Sequence, residues 1–388
     1  MVSLKTFTFA SMLIAVNTRM LIPGKMEGIG YFTLESMKRI TVSHPEHDFI
    51  FLFDRKHDPA FIFSSNVKPL SIFPPARHPI LWYLWYEWSL PFVFKKIKPD
   101  LFVSTDGYLS LSSGVKTLAV IHDLNFEHYP KDLPIFNRLF YKYFFPKYAD
   151  KATRIATVSE FTKNDVVKTY GVNASKIDIV YNGVGEKFKP VTDEVKQSVR
   201  NKHSTGSRYF LFVGALHQRK NIANLLRAFD EFQKKSSSDI KLLLVGQKRW
   251  WTKEMEDVYL TMSNKSDVIF TGRVSEDDLV LITASAFAVT YVSTFEGFGI
   301  PIVEAMKCDV PVITGNVTSM PEIAGDAALL CDPFSVTSIS DAMTLLYSDE
   351  NLRNTLINKG RLRHQKFSWQ NTADSLWSCI EKCISQTN

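Results

Sequence analysis

Cysteine is scarce in this chain: four in 388 residues, Cys308, Cys331, Cys379 and Cys383, with no Cys-x-x-Cys pair. That excludes a disulfide framework and a zinc ribbon. Cys379 and Cys383 would share one face of a terminal helix, which alone makes no metal site, and a reducing compartment is expected. Long hydrophobic runs are also missing. The most apolar stretch, 80–94, is too short to span a bilayer and is broken by Glu87 and Pro91. Charge of one sign is lacking as well. Lys and Arg number 46 against 40 acids, a formal +6, with no dense basic stripe interleaved with aromatics. Nucleic acid is therefore not an expected partner, whereas anionic substrates or an anionic membrane surface suit a mild positive excess. No internal repeat and no low-complexity segment occur. With 45% apolar and 22% charged residues, the composition excludes disorder, and the length allows two domains with separate cores.

The N-terminal residues need a separate look. A single Lys5 precedes Phe7, Phe9, Met12, Leu13 and Ile14, a faint signal-peptide pattern. No small-residue cleavage site follows, and 14–17 reads better as a first core strand. A cytoplasmic protein is expected, possibly at the inner face of the membrane. Within 80–94, Trp82, Tyr83, Trp85, Tyr86 and Trp88 are followed by Lys95, Lys96 and Lys98. A buried helix is one reading; an interfacial patch that docks on lipid is the other. The run 136–151, with Arg138, Lys142, Lys147 and Lys151 among aromatics, fits the second.

Short apolar runs alternate with amphipathic ones along the chain. Strands are expected at 14–17, 49–53, 101–104, 117–122, 154–158 and 176–181, with helices at 30–42, 137–147 and 160–170 among them. After a polar stretch the alternation restarts, with strands at 209–213, 241–245, 267–271, 286–291 and 310–314. Helices are expected at 221–235, 277–284, 300–307 and 338–347, and a last one from 370 to about 384. Such alternation points to α/β architecture, parallel sheets covered on both faces. The polar stretch places a linker at 191–205, between domains at 1–190 and 206–369.

The most constraining segment is Glu296-Gly297-Phe298-Gly299-Ile300-Pro301-Ile302-Val303-Glu304-Ala305-Met306. A short buried strand leads into it. Gly-x-Gly makes a turn in which backbone can approach a ligand closely. Pro301 suits the first position of a helix, where its missing N–H costs nothing. Free amides and a positive dipole end then follow the glycines, an arrangement suited to a pyrophosphate. Glu296 sits on the loop and Glu304 about one turn into the helix, so one carboxylate can reach a sugar and the other a ribose. Arg219-Lys220, between a strand ending at Gly214 and a helix, can grip a diphosphate, the Arg through its fork and the Lys as a point charge.

The segment resembles the carboxylate signature of glycosyltransferase family four, the glycosyl transferases group 1, retaining enzymes of the GT-B fold. Further segments match in order: 209–216 with Gln218-Arg219-Lys220-Asn221, then Leu244-Val245-Gly246, Thr271-Gly272-Arg273-Val274, Ser319-Met320-Pro321-Glu322 and Lys366-Phe367-Ser368-Trp369. In the first half, Gly28-Ile29-Gly30-Tyr31, Val120-Ile121-His122-Asp123, Thr157-Val158-Ser159-Glu160 and Tyr181-Asn182-Gly183-Val184 match too. The resemblance covers nearly the whole chain. It implies two Rossmann-like doubly wound domains facing a central cleft. The first, acceptor-binding, is completed by the C-terminal helix 370–388; the second binds the nucleotide sugar. Ala215-Leu216-His217-Gln218 departs from the commoner forms of its segment, which leaves donor specificity open.

The resemblance also implies roles. Arg219 and Lys220, with the amides of Gly297, Phe298 and Gly299, would hold the donor pyrophosphate. Glu304 would accept hydrogen bonds from the ribose, and the backbone at Val274 would meet the base. Glu296 and His122 would stand at the transferred sugar, and Gly28 and Gly30 would let a loop approach the donor phosphate or the acceptor. No Asp-x-Asp pair is placed to hold magnesium, so neither a metal nor another cofactor is expected. The expected reaction moves a hexose, with mannose from GDP-mannose as the leading choice, to a glycan or lipid-linked saccharide in surface polysaccharide synthesis. The same fold also hosts sugar phosphorylases and epimerases, and a non-catalytic nucleotide-sugar-binding scaffold is a further alternative.

Overall fold

The computed structural model describes residues 11–386; Lys5, Phe7 and Phe9 of the N-terminal pattern lie outside them. The chain divides into two units, 1–181 with 369–388, and 182–368.

The first unit holds a parallel sheet of β1 (Leu13–Asn17), β2 (Asp48–Phe53), β3 (Val67–Ser71), β4 (Leu101–Ser104), β5 (Lys116–Ile121), β6 (Arg154–Thr157) and β7 (Ile177–Ile179), in the order β3-β2-β1-β4-β5-β6-β7. Val16 pairs with Phe51 on one side and Val103 on the other. Central strands read as continuous apolar runs because both faces are covered. Phe102, Ala119 and Ile155 join a core with Trp85, Leu90, Phe145 and Val166 from the helical segments at 79–97, 135–151 and 160–170. The alternate residues, Leu101, Val103, Leu118 and Val120, are equally buried and point the other way. The terminal helix Trp369–Ser385 packs on β4, β5 and β6, and on helix Gly28–Ser43.

The second unit repeats the design with β8 (Tyr209–Val213), β9 (Lys241–Val245), β10 (Val268–Gly272), β11 (Ala288–Tyr291), β12 (Val312–Gly315) and β13 (Leu329–Cys331). All are parallel, in the order β10-β9-β8-β11-β12-β13. In each sheet the strand order reverses once, at β1/β4 and at β8/β11. In doubly wound sheets ligands bind outside the carboxyl ends of the strands at such a reversal.

Two strands escape the sequence pattern. β3 carries Pro69 and β13 has three residues; both lie at sheet edges, where a proline or a short strand is tolerated. The expected linker 191–205 is corrected. Residues Asp193–Ser204 form a helix within the second unit, packed on helix Glu276–Ala284, and the chain passes between the units at Tyr181–Asn182 and Ser368–Trp369. Its polarity reflects an exposed helix with little buried surface, Val199 and Ser204. Thr192 caps its start and acids fill its first turn.

The aromatic run forms one helical stretch, Pro79–Leu84, a π turn at Trp85–Ser89, and Leu90–Ile97. Trp82, Trp85 and Tyr86 are buried, whereas Tyr83 and Trp88 are exposed. All four cysteines are free and buried. Burial pushes the thiols of Cys308, Cys331 and Cys379 up to about 12, and that of Cys383 to about 11. Among the described residues no helix is long and apolar enough to cross a membrane.

Candidate active site

The reversal at β8/β11 brings two loops together at the carboxyl ends of these strands. The loop after β8 turns at Gly214 and carries Arg219 and Lys220 in a short 3₁₀ turn, Gln218–Lys220. His217 fixes the turn by accepting the Arg219 N–H at Nδ1, 3.1 Å away. Asn221 then adopts the left-handed conformation, φ 61°, and donates its amide to the carbonyls of Val292 and Pro333. The loop after β11 carries Glu296. Thr294 ties the two loops by donating its N–H to the Arg219 carbonyl at 2.9 Å.

Glu296 is 6% exposed. Its Oε1 lies 2.6 Å from Lys220 Nζ and its Oε2 lies 3.1 Å from Arg219 Nη1. Lys220 also donates to the Tyr291 hydroxyl at 2.7 Å. Burial pushes the Glu296 carboxyl upward, but the charges of Lys220 and Arg219 outweigh it and hold it down to about 2. The group is thus a buried carboxylate held between two cations, not a solvated acid. Two cations against one carboxylate leave a net positive centre under the switch point, suited to an anion.

The glycine turn is built for its loop. Gly299 has φ 99°, a conformation that favours glycine. Ser319 donates its hydroxyl to the carbonyls of Glu296 and Phe298 at 2.9 and 3.1 Å, and the Glu296 N–H reaches Thr318 Oγ1 at 3.3 Å. The helix that follows runs Ile300–Lys307, so Pro301 takes its second position and not its first. Glu304 lies one turn in, half-buried. Its carboxylate has no hydrogen-bond or ion-pair partner among the described residues. Burial, and then the charge of Glu276, push it up to about 8. Val274 sits half-buried on the loop between β10 and helix Glu276–Ala284.

His122, Gly28 and Gly30 belong to the first unit. His122 follows β5, and its Nε2–H donates to the Thr105 carbonyl at 2.9 Å, which leaves the lone pair of the neutral ring on Nδ1. Burial lowers its proton affinity, against the opposing pull of that carbonyl and of Asp123. Phe32, from the helix that Gly28 opens, meets the His122 ring edge-on at 5.0 Å. Gly30 has a packing reason of its own: a Cβ there would lie 2.9 Å from the Met20 carbonyl oxygen. Gly28 and Gly30 thus stand in helix Gly28–Ser43 and not on a loop as expected, because the chain is already helical from Gly28. Arg19, which precedes that helix, is buried against Asp106 at 2.6 Å and over the Tyr108 ring at 4.2 Å. It is a structural cation.

The model of the glycosyl transferases group 1 matches residues 193–363, and that of Glycosyltransferase Family 4 matches residues 44–187. The chain belongs to this glycosyltransferase family. O-antigen chain mannosyltransferase B of Escherichia coli is 28% identical over 369 residues, covering 89% of this chain and 93% of that protein. The serotype-specific mannosyltransferase WbdA of Escherichia coli is 28% identical over 66% of this chain, a match that spans 32% of that longer protein. Among solved structures, Anabaena HepE in complex with UDP and glucose has a TM-score of 0.74 at 16% identity, over 96% of this chain and 100% of that one. That likeness is one of fold. The two doubly wound units are those of a GT-B glycosyltransferase.

Sequence reasoning missed three residues of this candidate site. Tyr291 ends a buried strand and reads as core, yet its hydroxyl meets Lys220. Burial, then the Glu296 charge, raise its phenol so that it stays protonated. Ser319 and Asn221 stand inside matched segments, but nothing in their spacing tells that they hold loops far away in sequence. Nor did the spacing foretell that Glu296 pairs with Arg219 and Lys220 directly.

Proposed function

We propose that this glycosyltransferase moves mannose from GDP-mannose to a glycan or lipid-linked saccharide in surface polysaccharide synthesis, with retention at the anomeric carbon. The observation that carries the reading is the buried Glu296 held between Arg219 and Lys220 at the β8/β11 switch point. The sugar rests on the Escherichia coli relatives, which are mannosyltransferases. In this reading Arg219, Lys220 and the amides of Gly297, Phe298 and Gly299 take the pyrophosphate. Glu304 takes the ribose hydroxyls, and the backbone at Val274 meets the base.

The bond from the anomeric carbon to the pyrophosphate oxygen breaks on one face through an oxocarbenium-like state. The acceptor oxygen bonds to the same face, and its proton passes to the departing pyrophosphate. Two cations neutralise that leaving group as its charge develops, so the reaction proceeds without a metal. Glu296 lies along the donor sugar, and His122 stands near it. Gly28 and Gly30 approach the donor phosphate or the acceptor, and the enzyme works at the cytoplasmic face of the membrane.

The test is a thermal-shift and slow-hydrolysis screen of GDP-, UDP- and ADP-sugars with EDTA present. GDP-mannose should stabilise the enzyme and release mannose. Stabilisation by a UDP-sugar alone would remove the mannose reading, and loss of turnover in EDTA would remove metal independence. Lys220→Ala and Glu304→Ala should weaken donor binding by calorimetry, whereas Glu296→Ala should chiefly lower turnover. Wild-type affinity and activity in all three would overturn the site.

A further inference from the structure

Along 79–97, Trp82, Trp85, Tyr86, Leu90 and Phe94 turn inward, while Ile80, Leu84, Trp88 and Phe92 stay exposed. These four recur every fourth residue, a spacing that 3.6 residues per turn would let drift around a helix. The wider π turn at Trp85–Ser89 helps keep them in one stripe. A second stripe, Phe136, Leu139 and Tyr143, is exposed on helix Ile135–Lys151. The two helices pack together through Trp82 on Phe140 and Tyr83 on Phe144, and His78 lies 6.4 Å from Phe136, so the stripes adjoin. Phe73, 81% exposed, is fixed beside them by the Ser89 hydroxyl donating to its carbonyl at 2.7 Å. Trp88 and Phe136 are 67% and 63% exposed. This is a contiguous aromatic and aliphatic face of the kind that marks an interaction site.

Its charges are mostly positive. Lys95, Lys96 and Lys98 follow the first stripe, and Arg138, Lys142, Lys147 and Lys151 line the second helix. The cations reach over the aromatics: Lys96 Nζ lies 4.2 Å from the Phe92 ring centre and Lys147 Nζ 3.2 Å from that of Tyr143. Of the acids in these two stretches, Glu87 and Asp150, the first is engaged by the backbone amides of Leu111 and Ser112. A second copy of this face would meet the same cations and be repelled. A bilayer with anionic headgroups offers both things the face needs, an acyl boundary for aromatic side chains and negative charge for lysines.

We propose that this face of the first unit, centred on Trp88, Phe92, Phe136 and Tyr143, docks on an anionic lipid surface. The proposal deepens the reading of a lipid-linked acceptor; flotation needs neither donor nor acceptor, so its failure and that of the transferase reading are distinguishable. The full chain is floated with vesicles of phosphatidylcholine alone and with phosphatidylglycerol added, at low and high salt. Binding to the anionic vesicles should be at least about ten-fold stronger and weaken with salt. Trp88→Ser with Phe136→Ser should abolish it, and Lys142→Glu with Lys147→Glu should reduce it about ten-fold, with wild-type melting temperatures in both. Equal flotation of wild type and variants, or no flotation at low salt, would overturn the proposal. So would concentration-dependent self-association that the variants abolish while no vesicle binding is seen.

Discussion

Lys220 Nζ stands 2.6 Å from Glu296 Oε1 although 76 positions separate them in sequence. Both side chains are nearly withdrawn from water. The contact places a cation and a carboxylate of opposite expected roles, phosphate and sugar, in one cluster with Arg219 and Tyr291. A donor pyrophosphate entering there would compete with Glu296 for the same cations.

Removing one member of a buried pair leaves the other uncompensated. Lys220→Met should destabilise the protein by about 3 kcal/mol, less if Arg219 closes on the carboxylate. In a urea-denaturation double-mutant cycle with Glu296→Gln, the coupling should be about 1–3 kcal/mol. Additive single effects would mean that the ion pair contributes nothing to stability.

Acid should act through the same carboxylate. Its titration in the folded chain, near 2, lies below the ordinary carboxylate value. Its contribution is therefore complete above the ordinary value and is lost as pH falls from there towards 2. Glu296→Gln should lose less stability than wild type between pH 5 and pH 3, measured by chemical denaturation at each pH. Parallel curves would contradict the depressed titration.

Glu304 should behave in the opposite sense. Its carboxyl titrates near 8 in the folded chain, above its unfolded value, so its stabilising contribution is present at low pH and lost as pH rises towards 8. Ribose hydroxyls, as donors, should favour the ionised form. Affinity for a nucleotide diphosphate sugar should therefore rise from pH 6.5 to pH 8.5 in wild type and stay flat in Glu304→Gln. Calorimetry across that window decides it.

The strand ends make a further contrast. A Cβ on Gly246 would sit 1.8 Å from the Gly214 carbonyl oxygen, whereas one on Gly272, φ 70°, would meet nothing within 4 Å. Gly246→Ala should cost about 3 kcal/mol or prevent folding, and Gly272→Ala only about 1 kcal/mol from backbone strain. Melting curves of the two variants would test the ranking.

Trp85 and Trp88, three positions apart, should differ as strongly. Trp85 is fully buried, donating its indole N–H to the Ile72 carbonyl at 3.2 Å. Trp85→Ala should cost about 3–5 kcal/mol, and Trp88→Ala within about 0.5 kcal/mol. Equal losses in denaturant would mean that the aromatic stripe is covered.

Much of this was legible in the residues. Eleven strands that read as short apolar runs, from Ile14 to Val245 and Ile313, needed only a period and a length to be placed. The turn at Gly297–Gly299, the helix with Glu304 and the basic pair Arg219-Lys220 were visible because backbone conformation is a local property. Edge strands with Pro69 or three residues were not, since what makes them strands is a neighbour's free edge. Helix Asp193–Ser204 read as linker because an exposed helix on a large unit needs little apolar surface to dock.

Patterns within a few residues were enough to set the layered α/β order, the glycine turn and the residue types at the candidate site. Long-range packing put Glu296 as a buried carboxylate between two cations and left Glu304 with no such partner among the described residues. It also decided which tryptophans of one helix face the core. Burial, dielectric and ion pairing depend on groups brought together from distant strand ends, and no local pattern encodes that distance.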